Sequence, residues 1–309
     1  MQLSVVIPLL NEKNSLKELH RRLVAISEKI GCEREIIFVD DGSVDGSDEI
    51  IRELVAVDPT VTGLRLSRNF GHEAASTAGM DASHGDVTVL MDADLQDPPE
   101  LIEQMYELWK QGNQIVYAVR RRRRGESMLK LSAAWMFYRA LNFLSEVSIP
   151  LDVGDFRLMD ARVVQSLRKC REQDRFVRGL IAWTGFRSAP LEYDRPARAS
   201  GQTHYGLLKL FFLSLDAFFG FSISPLRIAS AAGIVVMLIS ALATIVPNTT
   251  LMSCGLFFLG GVQMFCTGIL GEYVGRIYRQ AQHRPLYLVA EEIARPARAA
   301  QERDAKVAA

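Results

Sequence analysis

Pairs of carboxylates stand where apolar segments of this sequence end. Asp40 and Asp41 follow one such segment, and Asp92 and Asp94 follow another. Aspartates crowded at one edge repel each other unless a cation is bound among them. Carboxylate oxygens with an amide nearby suit Mg²⁺ or Mn²⁺ that is shared with a phosphate group. The alternative is that each aspartate only caps a following helix, and this is the favoured interpretation for Asp97.

The sequence argues against several other classes of site. It contains neither G-x-x-x-x-G-K-[ST] nor a G-x-G-x-x-G after a strand, so a P-loop and a dinucleotide site are not indicated. The 36 Lys and Arg residues balance the 36 Asp and Glu residues, so there is no overall basic field for nucleic acid. The four cysteines form no C-x-x-C pair, which argues against a zinc site or a disulfide framework.

The strands and helices that must position the carboxylates can be predicted from the spacing of apolar residues in the first part of the chain. Short apolar segments alternate with segments of helical spacing. This predicts an α/β fold with a mostly parallel sheet, helices on both faces, and ligands at the carboxyl ends of the strands. The predicted strands are 3–9, 35–39, 61–67, 86–91 and 114–119, and the predicted helices are 15–30, 47–57, 72–83 and 97–111, the last with Asp97 as N-cap.

A long uncharged segment lies in the C-terminal third of the chain. No Asp, Glu, Lys, Arg or His occurs between Ile228 and Gly271. The segment divides into spans 228–246 and 251–271, each long enough to cross a hydrocarbon layer of about 30 Å. Arginines flank the outer ends, which places both ends in the cytoplasm. The alternative is a buried helical hairpin in a soluble protein.

The same patterns predict the domain organisation. We expect a cytoplasmic α/β domain over 1–224, able to fold without the rest of the chain, a transmembrane hairpin over 225–275, and a tail over 276–309. The tail after Tyr287 is rich in Ala, Arg and Glu, so we expect a frayed helix or disorder there. Segments 128–144 and 205–221 have broad apolar faces, typical of interface helices or of ordinary core helices.

Five motifs occur in order, and together they resemble a known family. They are VVIPLLNE, IIFVDDGS, SRNFGHEAA, MDADLQDPPE and VGDFRLMD, followed by a hairpin that ends in LGEYVGRIY. They resemble the family 2 glycosyltransferases with the glycosyltransferase-A fold, a Rossmann-like architecture. Within that family they are most similar to the polyprenyl-phosphate branch, which includes dolichol-phosphate mannose synthase and the bactoprenol glucosyltransferases. The resemblance covers residues 3–287.

The resemblance implies a role for each matching position. The nucleotide base and ribose would be bound by Pro8, Glu12, Asp40 and Asp41, and the metal and diphosphate by Asp92, Asp94 and Gln96. The segment that contains Arg120, Arg123 and Lys130 would receive the lipid phosphate, together with Arg198. The loop after Arg198 has Gln202, Thr203 and His204 where relatives often have Glu, Ser and Lys. The run 120–124 also suits binding to an anionic membrane surface.

Asp155 matches the position usually assigned as catalytic base. A phosphate acceptor has a second pKa of about 6 and is mostly ionised at neutral pH, so a base has little to do. Asp155 is therefore also a candidate for orienting an arginine or the sugar.

The resemblance predicts transfer of one hexose, with UDP-glucose as favoured donor, to undecaprenyl or another polyprenyl phosphate. The reaction would invert the anomeric carbon and need Mg²⁺ or Mn²⁺, at the cytoplasmic face of a bacterial inner membrane. A processive polysaccharide synthase would need Q-x-x-R-W and more spans. The alternative from another class is a catalytically silent scaffold or a flippase-associated subunit. Gly271 and Gly275 have G-x-x-x-G spacing, which favours a homo-oligomer, and a tetramer is expected.

Overall fold

The computed structural model describes residues 1–120, 153–193, 233, 235 and 249–294. The predicted interface helices 128–144 and 205–221 lie outside these residues, as does nearly all of the predicted span 228–246.

The described residues form an α/β domain and a long C-terminal helix. The strands are β1 (Gln2–Leu9), β2 (Glu33–Asp40), β3 (Val61–Leu66), β4 (Val87–Leu90), β5 (Ile115–Arg120), β6 (Val153–Asp160), β7 (Ser188–Tyr193) and β8 (Val289–Ile293). The helices are α1 (Leu16–Ile30), α2 (Ser47–Val57), α3 (His72–Ala82), α4 (Leu101–Lys110), α5 (Ala161–Lys169), α6 (Val177–Trp183) and α7 (Thr249–Ala281). Every predicted strand and helix of the first part is therefore confirmed, with small shifts at the ends.

All eight strands belong to one mixed sheet with the order β7-β5-β6-β4-β1-β2-β3-β8. The central strands β4, β1, β2 and β3 are parallel, as predicted. Strand β6 runs antiparallel to both β4 and β5, and β8 runs antiparallel to β3. The sheet is therefore mostly parallel, with one reversed strand in its interior and another at its edge.

Helices cover both faces because alternate residues of the central strands point to opposite sides. Val5 and Ile7 of β1 pack in one apolar cluster with α1, α2 and α4, whereas Val6 packs in another with α3, α5 and α6. Helix α3 lies close against the sheet at Gly79, where a Cβ atom would be 2.2 Å from Cγ1 of Val6. A larger residue at this position would push α3 away from the strands.

Helix α4 begins later than predicted, and Asp97 is not its N-cap. The helix starts at Leu101, after a turn in which the Leu101 amide donates to the Pro98 carbonyl. Asp97 is buried and accepts a hydrogen bond from the hydroxyl of Tyr193 in β7. A tertiary partner has therefore replaced the local capping contact.

Residues 289–293 of the tail form a strand where a frayed helix or disorder was predicted, and residues 295–309 lie outside the described residues. Strand β8 pairs with β3, and Glu291 forms two hydrogen bonds of 2.6 Å with Arg52. Ile293 is 7% exposed and packs in the core. For this segment the prediction was wrong, because the composition of the tail does not show that an exposed strand edge is available to it.

The predicted span 251–271 lies within α7. Within the part of the chain that the structure describes, no helix meets the combined requirements of length and apolarity for crossing a membrane.

A buried carboxylate of β2 predicts how the stability of the fold depends on pH. Glu35 accepts hydrogen bonds from the Ser4 hydroxyl (2.6 Å) and the His84 amide (2.9 Å). Burial opposes its ionised form, but the hydrogen bonds from His84 and Ser4 prevail and lower its pKa from 4.5 to about 2. A lowered folded-state pKa stabilises the fold above the unfolded pKa, and that stabilisation is lost as pH falls from 4.5 towards 2.

We therefore expect Glu35→Gln to lower the free energy of unfolding at neutral pH by about 2 kcal/mol. Urea unfolding should show this difference shrinking as the pH falls below 4.5, because the wild-type protein then loses the same ionic contribution. The exposed Glu107→Gln is the control and should change little. A difference that does not vary with pH would contradict the role of the Glu35 charge.

Candidate active site

The predicted carboxylates meet at one edge of the sheet because the parallel strands end there together. Strand β2 ends at Asp40, and Asp92 follows the end of β4. Strand β1 ends at Leu9, and Glu12 lies in the loop that follows. The Glu12 amide donates to the Ser47 hydroxyl. This is the edge at which α/β sheets bind ligands.

Asp41 joins the end of β2 to the loop before α3. Its two carboxylate oxygens accept hydrogen bonds from the amides of Phe70 (2.7 Å) and Gly71 (2.9 Å). Burial raises the pKa of Asp41, although the two amides favour its ionised form. Gly71 has a φ of 100°, which a side chain would strain, and α3 begins at the next residue.

Asp40 offers a buried acceptor at the same edge. One carboxylate oxygen accepts from the Ser43 amide at 2.8 Å, whereas Oδ2 is buried and accepts no hydrogen bond within the described part of the chain. The Nε atom of Arg65 lies 3.6 Å from Oδ2. Because buried acceptors are normally hydrogen-bonded, Oδ2 fits an N–H group of a ligand. Pro8, also predicted to bind the nucleotide, is buried beside Val39 in the neighbouring strand.

The segment after β4 is a strained turn. The Asp94 carboxylate accepts from the Gln96 amide at 3.0 Å, and Leu95 between them has a φ of 59°. A leucine with positive φ is an outlier of the kind that clusters at functional sites. Gln96 is buried, whereas Asp92 and Asp94 are partly exposed at this edge of the sheet.

Strand β6 brings Asp155 to Asp92. Leu90 of β4 pairs with Arg157 of β6, and in an antiparallel pair two further steps place Asp92 level with Asp155. Nε2 of His72, the first residue of α3, lies 3.4 Å from Asp155 and 3.8 Å from Asp92. The two acidic residues thus share one imidazole.

Asp155 is tightly bound by an arginine from α6. Arg178 donates from Nε at 2.7 Å and from Nη2 at 2.6 Å, one bond to each carboxylate oxygen. The buried Arg157 is a second cation near this carboxylate, with its Nη2 atom 3.6 Å from Oδ1 of Asp155. Such a fork-to-fork pair fixes both partners in position. This contact is the one that an orienting role of Asp155 would require, and that role stays a prediction.

The pKa values of the residues in this cluster are shifted in different directions. Burial, with the nearby charge of Asp155 and Asp94, raises the pKa of Asp92 to about 6. Burial opposes the charged form of His72, but Asp155 and Asp92 prevail and raise its pKa to about 9. Burial also opposes ionisation of Asp155, yet Arg178 and His72 hold its pKa well below the usual range. Burial lowers the pKa of Arg157 to about 10.

These values indicate which residues fit a divalent cation. Ligand atoms of His72, Asp92 and Asp155 lie within 4.8 Å of one another. His72 is protonated at neutral pH, however, and Asp155 is already paired with Arg178. A metal ligand must be deprotonated. Asp92 belongs to this cluster and has no arginine partner of that kind, whereas Asp94 is not among its members, so a cation held by Asp92 and Asp94 stays a prediction.

The structure places one of the four residues that were predicted to bind the acceptor phosphate. Arg120 is the last residue of β5, and Arg123, Lys130 and Arg198 lie outside the described residues.

Three residues at the site had no predicted role. His72 stands within the SRNFGHEAA motif, which could have drawn attention to it. Arg157 stands within VGDFRLMD in the same way. For Arg178 no local pattern exists, because its partner comes from a different element.

The family described as glycosyl transferase family 2 matches residues 4–168. The chain belongs to this family. Among its relatives, an uncharacterized glycosyltransferase of Bacillus subtilis (strain 168) is 43% identical, with 94% of this chain and 93% of the relative covered. A bactoprenol glucosyl transferase of Shigella phage SfV is 36% identical over 94% of this chain and 99% of the relative. Within the family, this glycosyltransferase therefore resembles the polyprenyl-phosphate branch.

Solved structures include more distant neighbours. Glucosyl-3-phosphoglycerate synthase from Mycobacterium tuberculosis, in complex with Mn²⁺, UDP and phosphoglyceric acid, is 21% identical with a TM-score of 0.47. The match covers 71% of this chain and 76% of that one.

The ion pair at the centre of the site leads to a prediction for this glycosyltransferase. Asp155→Asn should lower the free energy of unfolding by about 3 kcal/mol, because it removes the charge that compensates the buried Arg157 and the half-buried Arg178. Thermal unfolding measures this loss. Asp86→Asn, which changes an exposed carboxylate that accepts from the Gln2 amide, is the control. Equal stability of Asp155→Asn and the wild-type protein would show that the cluster does not depend on this charge.

Proposed function

We propose that this glycosyltransferase moves one glucose from UDP-glucose to a polyprenyl phosphate, with inversion at the anomeric carbon. The observation that carries the proposal is the Asp155–Arg178 pair. A hydroxyl acceptor would need a free base to take its proton. A phosphate acceptor is mostly ionised at neutral pH and needs none, so a carboxylate already paired with an arginine suits it.

The donor side is proposed from the carboxylate edge. The buried Oδ2 of Asp40 would accept an N–H of the base, with Pro8, Glu12 and Asp41 around the nucleoside. Asp92 and Asp94 would hold Mg²⁺ or Mn²⁺, and Gln96 would lie beneath the diphosphate. The cation, when bound, supplies charge stabilisation for the leaving diphosphate.

The acceptor side is proposed from the relatives. Bactoprenol glucosyl transferases match this chain almost from end to end, which supports a polyprenyl phosphate as the acceptor. We assign its phosphate to Arg120, Arg123, Lys130 and Arg198. At the reacting centre, Asp155 keeps Arg178 and His72 in place as cations beside the carboxylates.

A catalytically silent scaffold or flippase-associated subunit is the alternative. The cluster of His72, Asp92 and Asp155 argues against it, because it gathers charged groups whose pKa values are strongly shifted. Such a pattern is typical of active sites.

The proposed function is tested by nucleotide release from the purified full chain with UDP-glucose and undecaprenyl phosphate. Release should require the lipid, stop on chelation and return with Mn²⁺ or Mg²⁺. Asp94→Ala should lower the rate by about 100-fold or more, since it removes a group that stabilises the developing charge. Glu53→Ala, on the exposed surface of α2, should be as active as wild type. No release under any condition would favour the scaffold, whereas lipid-independent release would contradict the lipid acceptor and full activity of Asp94→Ala would contradict the metal assignment.

We also propose that the catalytic domain is held at the cytoplasmic face of the bacterial inner membrane by the segment 228–271. Its lack of charge supports this, as do the large apolar side chains that α7 exposes. Such a surface needs cover from lipid or protein. These side chains include Leu256, Phe258, Met264, Phe265, Leu270 and Ile277.

A homo-oligomer, with a tetramer favoured, would cover part of this surface. Among the described residues, a side chain added at Gly271 or Gly275 would meet no atom within 4 Å beyond the adjoining backbone of α7, so a second helix could approach α7 there. We expect the protein to resist an alkaline wash of membranes and to have a tetramer's mass in mild detergent. Release by the wash would contradict the anchor, and a monomer at all concentrations would contradict the oligomer.

A further inference from the structure

We infer that Glu73 and Arg178 are positioning residues: the Glu73 carboxylate holds the first turn of α6, and that turn holds Arg178 in the orientation that fixes Asp155. The kinetic part of this inference rests on the proposed function. The structural part does not, because it concerns contacts between α3, α6 and β6.

The first link is a hydrogen bond from a distant helix. The first amides of a helix have no partner within the helix and are usually capped by a nearby side chain. Phe176 precedes α6 and provides no such cap. The Val177 amide instead donates to Oε2 of Glu73 at 2.9 Å. Glu73 thus replaces a local cap, and its hydrogen bond links α6 to the start of α3.

The second link follows at the next residue. Arg178 donates to both oxygens of Asp155, at 2.7 Å and 2.6 Å. A two-pronged contact requires the guanidinium and carboxylate planes to be aligned, so a small rotation of α6 would break one of its bonds. Holding the Val177 amide is therefore a direct way to hold Arg178.

The third link is that Glu73 follows His72. His72 lies 3.4 Å from Asp155, and Glu73 reaches α6. Helix α3 is a firm support because Ala75, Ala78 and Met80 are buried against the sheet. Two adjacent residues of one helical turn therefore act on Asp155. His72 lies beside it, and Glu73 acts through Arg178.

A purely electrostatic role for Glu73 is the competing interpretation. Glu73 lies near the charges of Arg178 and His72, and its own charge influences them. Glu73→Gln separates the two roles, because its side-chain oxygen still accepts from the Val177 amide but carries no charge. Glu73→Ala removes both.

Hydrogen–deuterium exchange of the full chain tests the structural link without any need for turnover. In Glu73→Ala the Val177 amide should exchange about tenfold faster, as expected for the loss of one hydrogen bond. Glu73→Gln should retain the protection. Glu53→Ala, which removes an exposed ion pair with Lys17, is the control and should not alter exchange in α6. Unchanged exchange at Val177 in Glu73→Ala would overturn the inference.

Turnover kinetics test the consequence for Asp155. Glu73→Ala should lower kcat by about 100-fold, the loss that a misplacement of about 1 Å can cause, with little change in KM for the nucleotide sugar. Arg178→Lys should lose a similar factor because an ammonium group cannot form the two-pronged contact. The double variant should be no slower than the slower single one, since both act through the same contact.

Glu73→Gln should recover most of the turnover that Glu73→Ala loses. If Glu73→Gln keeps the protection of Val177 but is as slow as Glu73→Ala, the charge of Glu73 matters and the positioning role is overturned. A wild-type enzyme without turnover on UDP-glucose and polyprenyl phosphate would contradict the proposed function only, because the exchange measurement still decides the structural link.

Discussion

The pairing of β6 with β4 is the constraint on which the site depends. Because β6 is antiparallel, the register that sets Leu90 beside Arg157 also brings Asp155 level with Asp92. A shift by one residue would turn Asp155 to the opposite face of the sheet. The reversed strand is thus what joins the acidic edge of the parallel strands to the cations of α3 and α6.

Charge balance explains why the cluster is stable. Asp155 lies among Arg157, Arg178 and His72, whereas Asp92 shares its surroundings with other carboxylates. One carboxylate is therefore held firmly ionised by cations, whereas burial and the neighbouring carboxylates raise the pKa of the other. Two neighbouring carboxylates with different environments can serve different tasks, one in orienting cations and the other in binding a cation.

The C-terminal part is linked to the α/β domain by more than the chain itself. Beyond α7, the hydroxyl of Tyr287 donates to Asp81 of α3, and β8 completes the edge of the sheet. Asp174, between α5 and α6, accepts from Arg276 and Arg279 of α7. The end of α7 is thus held against the loop that leads to Arg178, so the long helix and the active site share a support.

The sequence by itself determined the central parallel strands, their helices and the acidic residues at their ends, because apolar periodicity and strand ends are local properties of a chain. Its motifs also led to Asp155. Only the tertiary structure decided that β6 lies between β4 and β5, that β8 closes the sheet edge, and that Asp97 contacts Tyr193 instead of capping α4. It also decided that Arg178 and His72 hold Asp155, because these contacts join residues far apart in the chain and depend on the register and packing of whole elements.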